Sequence, residues 1–143
     1  MSDAAGGQFC TFFLDNHFFG VEVNHVQEVL RYQEMTPVPQ APDTIRGLIN
    51  LRGQIVTAID LRRRLAFEPL PEEAKPMNVV VGTDDGTVSF LVDRIGDVLT
   101  VDEGQYEAPP ETLEGPVANM VTGTYKLEDR LLLVLDTLQA TAV

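Results

Sequence analysis

Short polar turns set between apolar, β-rich runs are what most limit the folds open to this chain. "FCTFFL" and "FFGVEV" flank Asp15-Asn16-His17, and "NVVVGT" and "TVSFLVD" meet around Asp84-Asp85-Gly86. "MVTGTYK" and "LLLVLD" repeat the plan about Leu127 to Arg130, and "IRGLINLRGQIVTAIDLR", residues 45 to 62, turns at its own centre. Four such hairpins imply antiparallel sheet and leave little chain for a helical core.

In residues 45 to 62, a three-residue loop of Arg52, Gly53 and Gln54 sets Leu51 opposite Ile55 and Ile49 opposite Thr57. Ile49, Leu51, Ile55, Ile59 and Leu61 then share one face. A two-residue loop would instead pair Leu51 with Gln54 and turn Ile55 over. The unbroken period of two favours the longer loop, with Gly53 left-handed and bulge-forming. Arg52 is expected at the tip, pointing outward, where the plain reading is a solvated turn residue.

Helical signals are slight. "NHVQEVLRY" offers Asn24 as N-cap, Gln27 in the capping-box position, and Val26, Val29 and Leu30 on one helical face. "APDTIRG" reads as a single turn from Asp43, stopped by Gly47, and "DTLQATAV" as two turns at the C-terminus. Asp60, Asp93 and Asp136 each close an apolar strand, and each is placed to cap a helical turn or tie the exit loop.

"EPLPEEAKP", residues 68 to 76, has linker composition, and "TPVPQAP" is expected to run extended over the surface. The all-β reading is therefore two small antiparallel barrels or rolls, 8–67 and 77–136, packed side by side within one 8–136 domain, with 137–143 a short tail or helix. Halves this small are marginal alone, so a shared apolar seam is expected. Whether strands cross between the halves is left open by the sequence.

Charge narrows the partners. Residues 1 to 75 carry seven Lys/Arg against ten Asp/Glu, and residues 76 to 143 carry three against twelve, within a net charge of −12. Nucleic acid and acidic lipid are poor candidates for such a surface. "LRRRL", residues 61 to 65, is the local exception; three arginines suit an anion, but more often end a strand or solvate a helical turn. The longest undiluted apolar patch is "LLLVL", far below the ~20 residues of a membrane span, and "MSDAAGGQ" lacks a basic, apolar leader. A soluble cytoplasmic protein with no membrane insertion is expected.

Nothing assembles a catalytic set. His17 and His25 have no Cys or His at ligand spacing, so no metal is expected. Ser89 lies within an apolar strand rather than a nucleophile elbow. The single cysteine, Cys10, cannot bridge internally and has no basic neighbour to favour a thiolate. No Gly-rich loop precedes a helix, so no phosphate-bearing cofactor is expected. The reading is a binding protein, not an enzyme.

At "IRGLINLRGQIVTAIDLR" a specific resemblance appears, to the CheW family of chemotaxis coupling proteins. "FFGVEVNHVQEVLR" is similar to that family's opening segment, "SFLVDRIGDVLTV" to its later D-x-[VI]-x-[DE]-V segment, and "VTGTYKLEDRLLLVLD" to its closing hairpin. The resemblance implies two five-stranded SH3-like β-barrels around a shared hydrophobic region, no catalysis and no cofactor. It implies an adaptor that binds the cytoplasmic tip of methyl-accepting chemoreceptors and the regulatory domain of the histidine kinase CheA. It also implies recruitment to membrane-associated receptor arrays through those partners, and association with other CheW-like proteins into rings. An adaptor of a non-flagellar chemosensory pathway, such as type IV pilus motility, would carry the same motifs.

Matched residue by residue, the resemblance assigns receptor binding to Val26, Glu28 and Val29, to Asn50 and Arg52 of the hairpin, and to Ile95 and Val98 of the later segment. It makes Gly47 and Gly53 turn glycines. A guanidinium at Arg52 suits carboxylates or carbonyls at a helix tip, while Val26 and Val29 are equally readable as core. Thr57 stands where the family commonly has proline, Ser89 where glycine is usual, and the segment after Asp136 is shorter than the usual helix. The flanks beyond the match are short, so no attached receiver or kinase domain is expected.

Overall fold

Two of the expected hairpins close where the turns predict. In a computed structural model describing residues 6–71, 73–84 and 86–142, β1 (Gly6–Leu14) pairs with β2 (His17–Glu22) from Leu14–His17 outward. β10 (Val121–Lys126) pairs with β11 (Leu131–Leu135) across a loop in which the Leu127 N–H donates to the Arg130 carbonyl at 2.8 Å. β6 (Met77–Thr83) and β7 (Gly86–Val92) pair from Thr83–Gly86; Asp85 of the expected turn lies outside the described residues.

The central hairpin closes differently. β4 (Ile45–Leu51) and β5 (Gln54–Asp60) pair Leu51 with Gln54 and Asn50 with Ile55, so the loop has two residues, not three. Arg52 (φ 52°) and Gly53 (φ 85°) are both left-handed, the pattern of a type I′ turn, whose twist matches that of the flanking strands. The Gly53 N–H donates to Asn50 Oδ1 at 3.0 Å and anchors the turn. The expected single apolar face is therefore split. Ile49 packs with Ala58 and Leu91, Ile59 and Leu61 join a separate core, and Ile55 is 59% exposed.

A second correction concerns residues 24 to 32. They form β3 (Val26–Leu30), preceded by a 3-10 turn at Val23–His25, and not a helix capped by Asn24. The valines of β3 suit the β-region, and its backbone pairs with β6. "APDTIRG" likewise makes only a turn, closed by the Ile45 N–H on the Pro42 carbonyl at 2.9 Å, before β4 begins. Gly47 thus lies inside β4 and is not a turn glycine. A Cβ there would stand 2.7 Å from the Thr36 carbonyl oxygen. The proline-rich segment crosses β4 at this point, where Thr36 and Leu48 exchange backbone hydrogen bonds of 2.9 and 2.8 Å.

The remaining elements are α1 (Leu61–Arg64), β8 (Arg94–Asp102), a second 3-10 turn at Glu103–Gln105, β9 (Tyr106–Glu107), α2 (Pro116–Met120) and α3 (Thr137–Thr141). One sheet has the order β8-β1-β2-β11-β10-β9 and the other β3-β6-β7-β5-β4. The sheets are not divided along the chain at the 68–76 segment: the first hairpin joins the later strands, with β2 parallel to β11. Phe12, Leu14 and Phe19 of the six-stranded sheet meet Ile59, Val79, Val81 and Phe90 of the five-stranded one in a common core.

Each strand-closing aspartate has a partner. Asp60 accepts from the Arg63 N–H and Asp136 from the N–H groups of Leu138 and Gln139, capping α1 and α3. The three arginines of "LRRRL" are used internally. Arg62 binds Asp93, Arg63 lies 3.3 Å from Asp43, and Arg64 donates to the Gln139 and Ala142 carbonyls at the end of α3. Short as it is, α3 buries Ala140 in the common core.

Candidate partner-binding surface

The five-stranded sheet ends on β3 at one edge and β4 at the other. Four inter-strand steps of about 4.8 Å would separate these edges if the sheet were flat. Yet Arg52, just past the end of β4, donates through Nη1 and Nη2 to the two carboxylate oxygens of Glu28 on β3, both at 2.7 Å. The sheet must therefore coil, and this forked pair spans its two edges. Gln27 and Gln54 reinforce the approach, each donating its amide to Thr87 Oγ1, at 3.3 and 3.2 Å.

The pair is polarised toward solvent: the Arg52 side chain is 75% exposed and that of Glu28 24%. Hydrogen bonding from Arg52 holds the Glu28 carboxyl below the usual carboxylate range, and the same bond raises the Arg52 guanidinium above its ordinary value. At such exposure the bond contributes little to stability. Its effect is geometric, since a fork constrains the guanidinium plane. Arg52 commits two N–H donors to Glu28, and the guanidinium has five.

A β-bulge between Val26 and Glu28 gives β3 its second character. Val26 pairs with Val81 and Val29 with Val79, so both valines share the face that looks toward the six-stranded sheet. Their fates differ. Val26 packs partly buried against the common core, whereas Val29 is 43% exposed. The competing core reading thus fits Val26 and not Val29. Ile95 and Val98 lie on β8, the edge of the other sheet, opposite Phe12 and Cys10. Ile95 packs on the common core; Val98 is exposed.

The structure therefore joins Glu28, Arg52 and, through the Gly53 N–H, Asn50 into one hydrogen-bonded unit. Val26 and Val29 stand on the same edge strand, and Ile95 and Val98 on the other sheet's edge. Sequence reasoning missed Ile55, which it set on one apolar face with Ile49 and Leu51 and which is 59% exposed. Its exposure follows from the two-residue turn, and the signal was the Arg52-Gly53 pair itself, with glycine at the second left-handed position.

Other chemistry is not gathered. Among the described residues, no three or more His, Cys, Asp or Glu side chains are grouped so as to hold a metal ion. Burial pushes the Cys10 thiol up, the opposite of what a nucleophile needs. No helix among the described residues is long and apolar enough to cross a membrane.

The family model of the CheW-like domain matches residues 8–142. The chain belongs to the CheW family. It is 31% identical to the chemotaxis protein CheW of Klebsiella aerogenes over 134 residues, covering 94% of this chain and 81% of that protein. Over 131 residues it is 30% identical to the chemotaxis protein CheW of Bacillus subtilis, covering 92% and 84%. Its fold is similar to that of the scaffolding protein TtCheW from Thermoanaerobacter tengcongensis, with a TM-score of 0.80, 26% identity, and coverage of 91% of this chain and 88% of that one. That solved relative is described as a scaffolding protein. The resemblance implied an all-β fold of two five-stranded barrels; the fold is mostly β, in two sheets of six and five strands, and is similar to that of TtCheW.

Proposed function

We propose that this protein is a cytoplasmic chemotaxis adaptor that binds the tip of a methyl-accepting chemoreceptor and the regulatory domain of the histidine kinase CheA. One observation carries the receptor assignment: a forked Glu28–Arg52 pair, exposed on its arginine side, at an edge strand that also carries the exposed Val29. A receptor helical hairpin offers carboxylates and carbonyls for the remaining guanidinium donors and apolar side chains for Val29 and Val98. Glu28 holds the fork in place before the partner arrives, which lowers the ordering cost of association.

Titration of a purified receptor cytoplasmic fragment onto the folded protein tests the assignment. Saturable binding that weakens when Arg52 is reversed to Glu supports it. Equal affinity of the folded Arg52→Glu variant removes the arginine from the interface.

A further inference from the structure

Two sheets that share an apolar core still need something to set the angle between them, because apolar burial is non-directional. The chain crosses from one sheet to the other at Val23–His25, and back at Asp93, a single residue between β7 and β8. The second crossing carries a dense set of polar contacts. The Asp93 carboxylate accepts from Arg62 Nε at 2.9 Å, from Arg62 Nη2, and from the Asp15 backbone N–H at 2.7 Å. Its own N–H donates to the Phe13 carbonyl at 3.0 Å. Arg62 also donates through Nη1 to the Glu68 carbonyl at 2.6 Å. Thus the first hairpin of one sheet, α1 at the end of β5 in the other, the crossover and the 68–76 segment all converge on one ion pair. Both side chains are largely withdrawn from water, at 11% and 17% exposure.

We infer that Arg62 and Asp93 are positioning residues, a forked clamp that fixes the angle between the sheets and so places Val98 relative to the Glu28–Arg52 pair. Ile95 and Val98 follow the crossover on β8 in one sheet, while Glu28 and Arg52 belong to the other. A partner touching both surfaces is sensitive to that angle. A bidentate pair adds geometric specificity, and neutralising both members together avoids the large cost of leaving one withdrawn charge unpaired. The clamp's contribution is therefore separable from folding. The link to binding rests on the receptor-adaptor reading; the effect on the angle does not.

The test uses the full chain in a Cys10→Ala background, spin-labelled through Gln54→Cys on β5 and Lys126→Cys on β10. Inter-label distances are compared with and without the pair Arg62→Met and Asp93→Asn, and receptor-fragment affinity is measured on the unlabelled proteins. The clamp predicts a retained cooperative melt, a broadened distance distribution, and affinity lower by roughly threefold to tenfold with every contact residue intact. An unchanged distribution in the folded double variant overturns the inference. A broadened distribution with unchanged affinity overturns its link to binding. Arg62→Lys, which keeps the charge and loses the fork, supplies the same two readouts should the double variant unfold. Failure of the wild type to bind the receptor fragment counts against the receptor reading, and the distance measurement then decides the clamp alone.

Discussion

Glu28 and Arg52 meet through two parallel hydrogen bonds of 2.7 Å across the opposite edges of one coiled sheet. The carboxylate comes from an irregular edge strand and the guanidinium from the tip of a tight hairpin. Neither is deeply buried, so the pair serves presentation more than stability.

That distinction is measurable. Arg52→Lys keeps the charge but cannot fork, and Glu28→Gln keeps an acceptor without charge. Both variants should melt near the wild type and bind the receptor fragment more weakly. Arg52→Glu should lose about 2 kcal/mol of binding, as at an interface hot spot. Isothermal titration on each folded variant reads the order; a lysine variant that binds as tightly as the wild type would remove the need for the fork.

The Asp93 carboxyl titrates differently from an exposed one. Burial pushes it up, but hydrogen bonds from Arg62 and the Asp15 N–H outweigh that and hold it below the ordinary aspartate range. A depressed folded-state value means that its stabilisation is complete above the unfolded value, about pH 4, and is lost as pH falls toward the folded one. The stability gap between wild type and Asp93→Asn should therefore be constant near neutrality and narrow below about pH 4. Urea titrations at stepped pH measure it; a gap that widened on acidification would reverse the assignment.

Gly47 has no room for a side chain, because a Cβ there would meet the Thr36 carbonyl oxygen at 2.7 Å. Gly47→Ala should cost roughly 1–3 kcal/mol through overpacking. It should also speed amide exchange at Thr36 and Leu48, whose mutual hydrogen bonds hold the strap. Wild-type stability in this variant would show that the strap yields freely.

Ser89, where the family usually has glycine, is fully buried, and its hydroxyl donates to Asn78 Oδ1 at 2.7 Å. The Asn78 amide in turn donates to the Arg31 carbonyl at 3.1 Å. Ser89→Ala strands a buried acceptor and should destabilise by about 1–3 kcal/mol. A melt unchanged by this substitution would mean that Asn78 finds another donor.

How much of this was legible depended on whether a pattern is local. The hairpins at Asp15 and at Leu127 to Arg130 follow from alternation and turn chemistry alone. β3 was misread because its bulge sets Val26 and Val29 on one face at a spacing of three, which imitates a helix. The central loop was misread because β5 is buried on both faces near its end, with Ala58 toward Ile49 and Ile59 toward the common core. In such a strand alternation loses its power to fix register. The union of β1 and β2 with the later strands is a long-range pairing that no local pattern records. Arg52 was visible through its motif, but its bond to Glu28 depends on the coiling of the sheet and emerges only in three dimensions.

Coupling of a receptor to a kinase by the exterior of this scaffold is read in autophosphorylation of CheA reconstituted with receptor arrays and this protein. Phosphate incorporation should rise well above that of receptor and kinase alone when the wild type is added, and fall back toward that baseline with Arg52→Glu. Incorporation that stays at the baseline with the wild type, in arrays shown to contain all three proteins, would mean that this protein does not couple them.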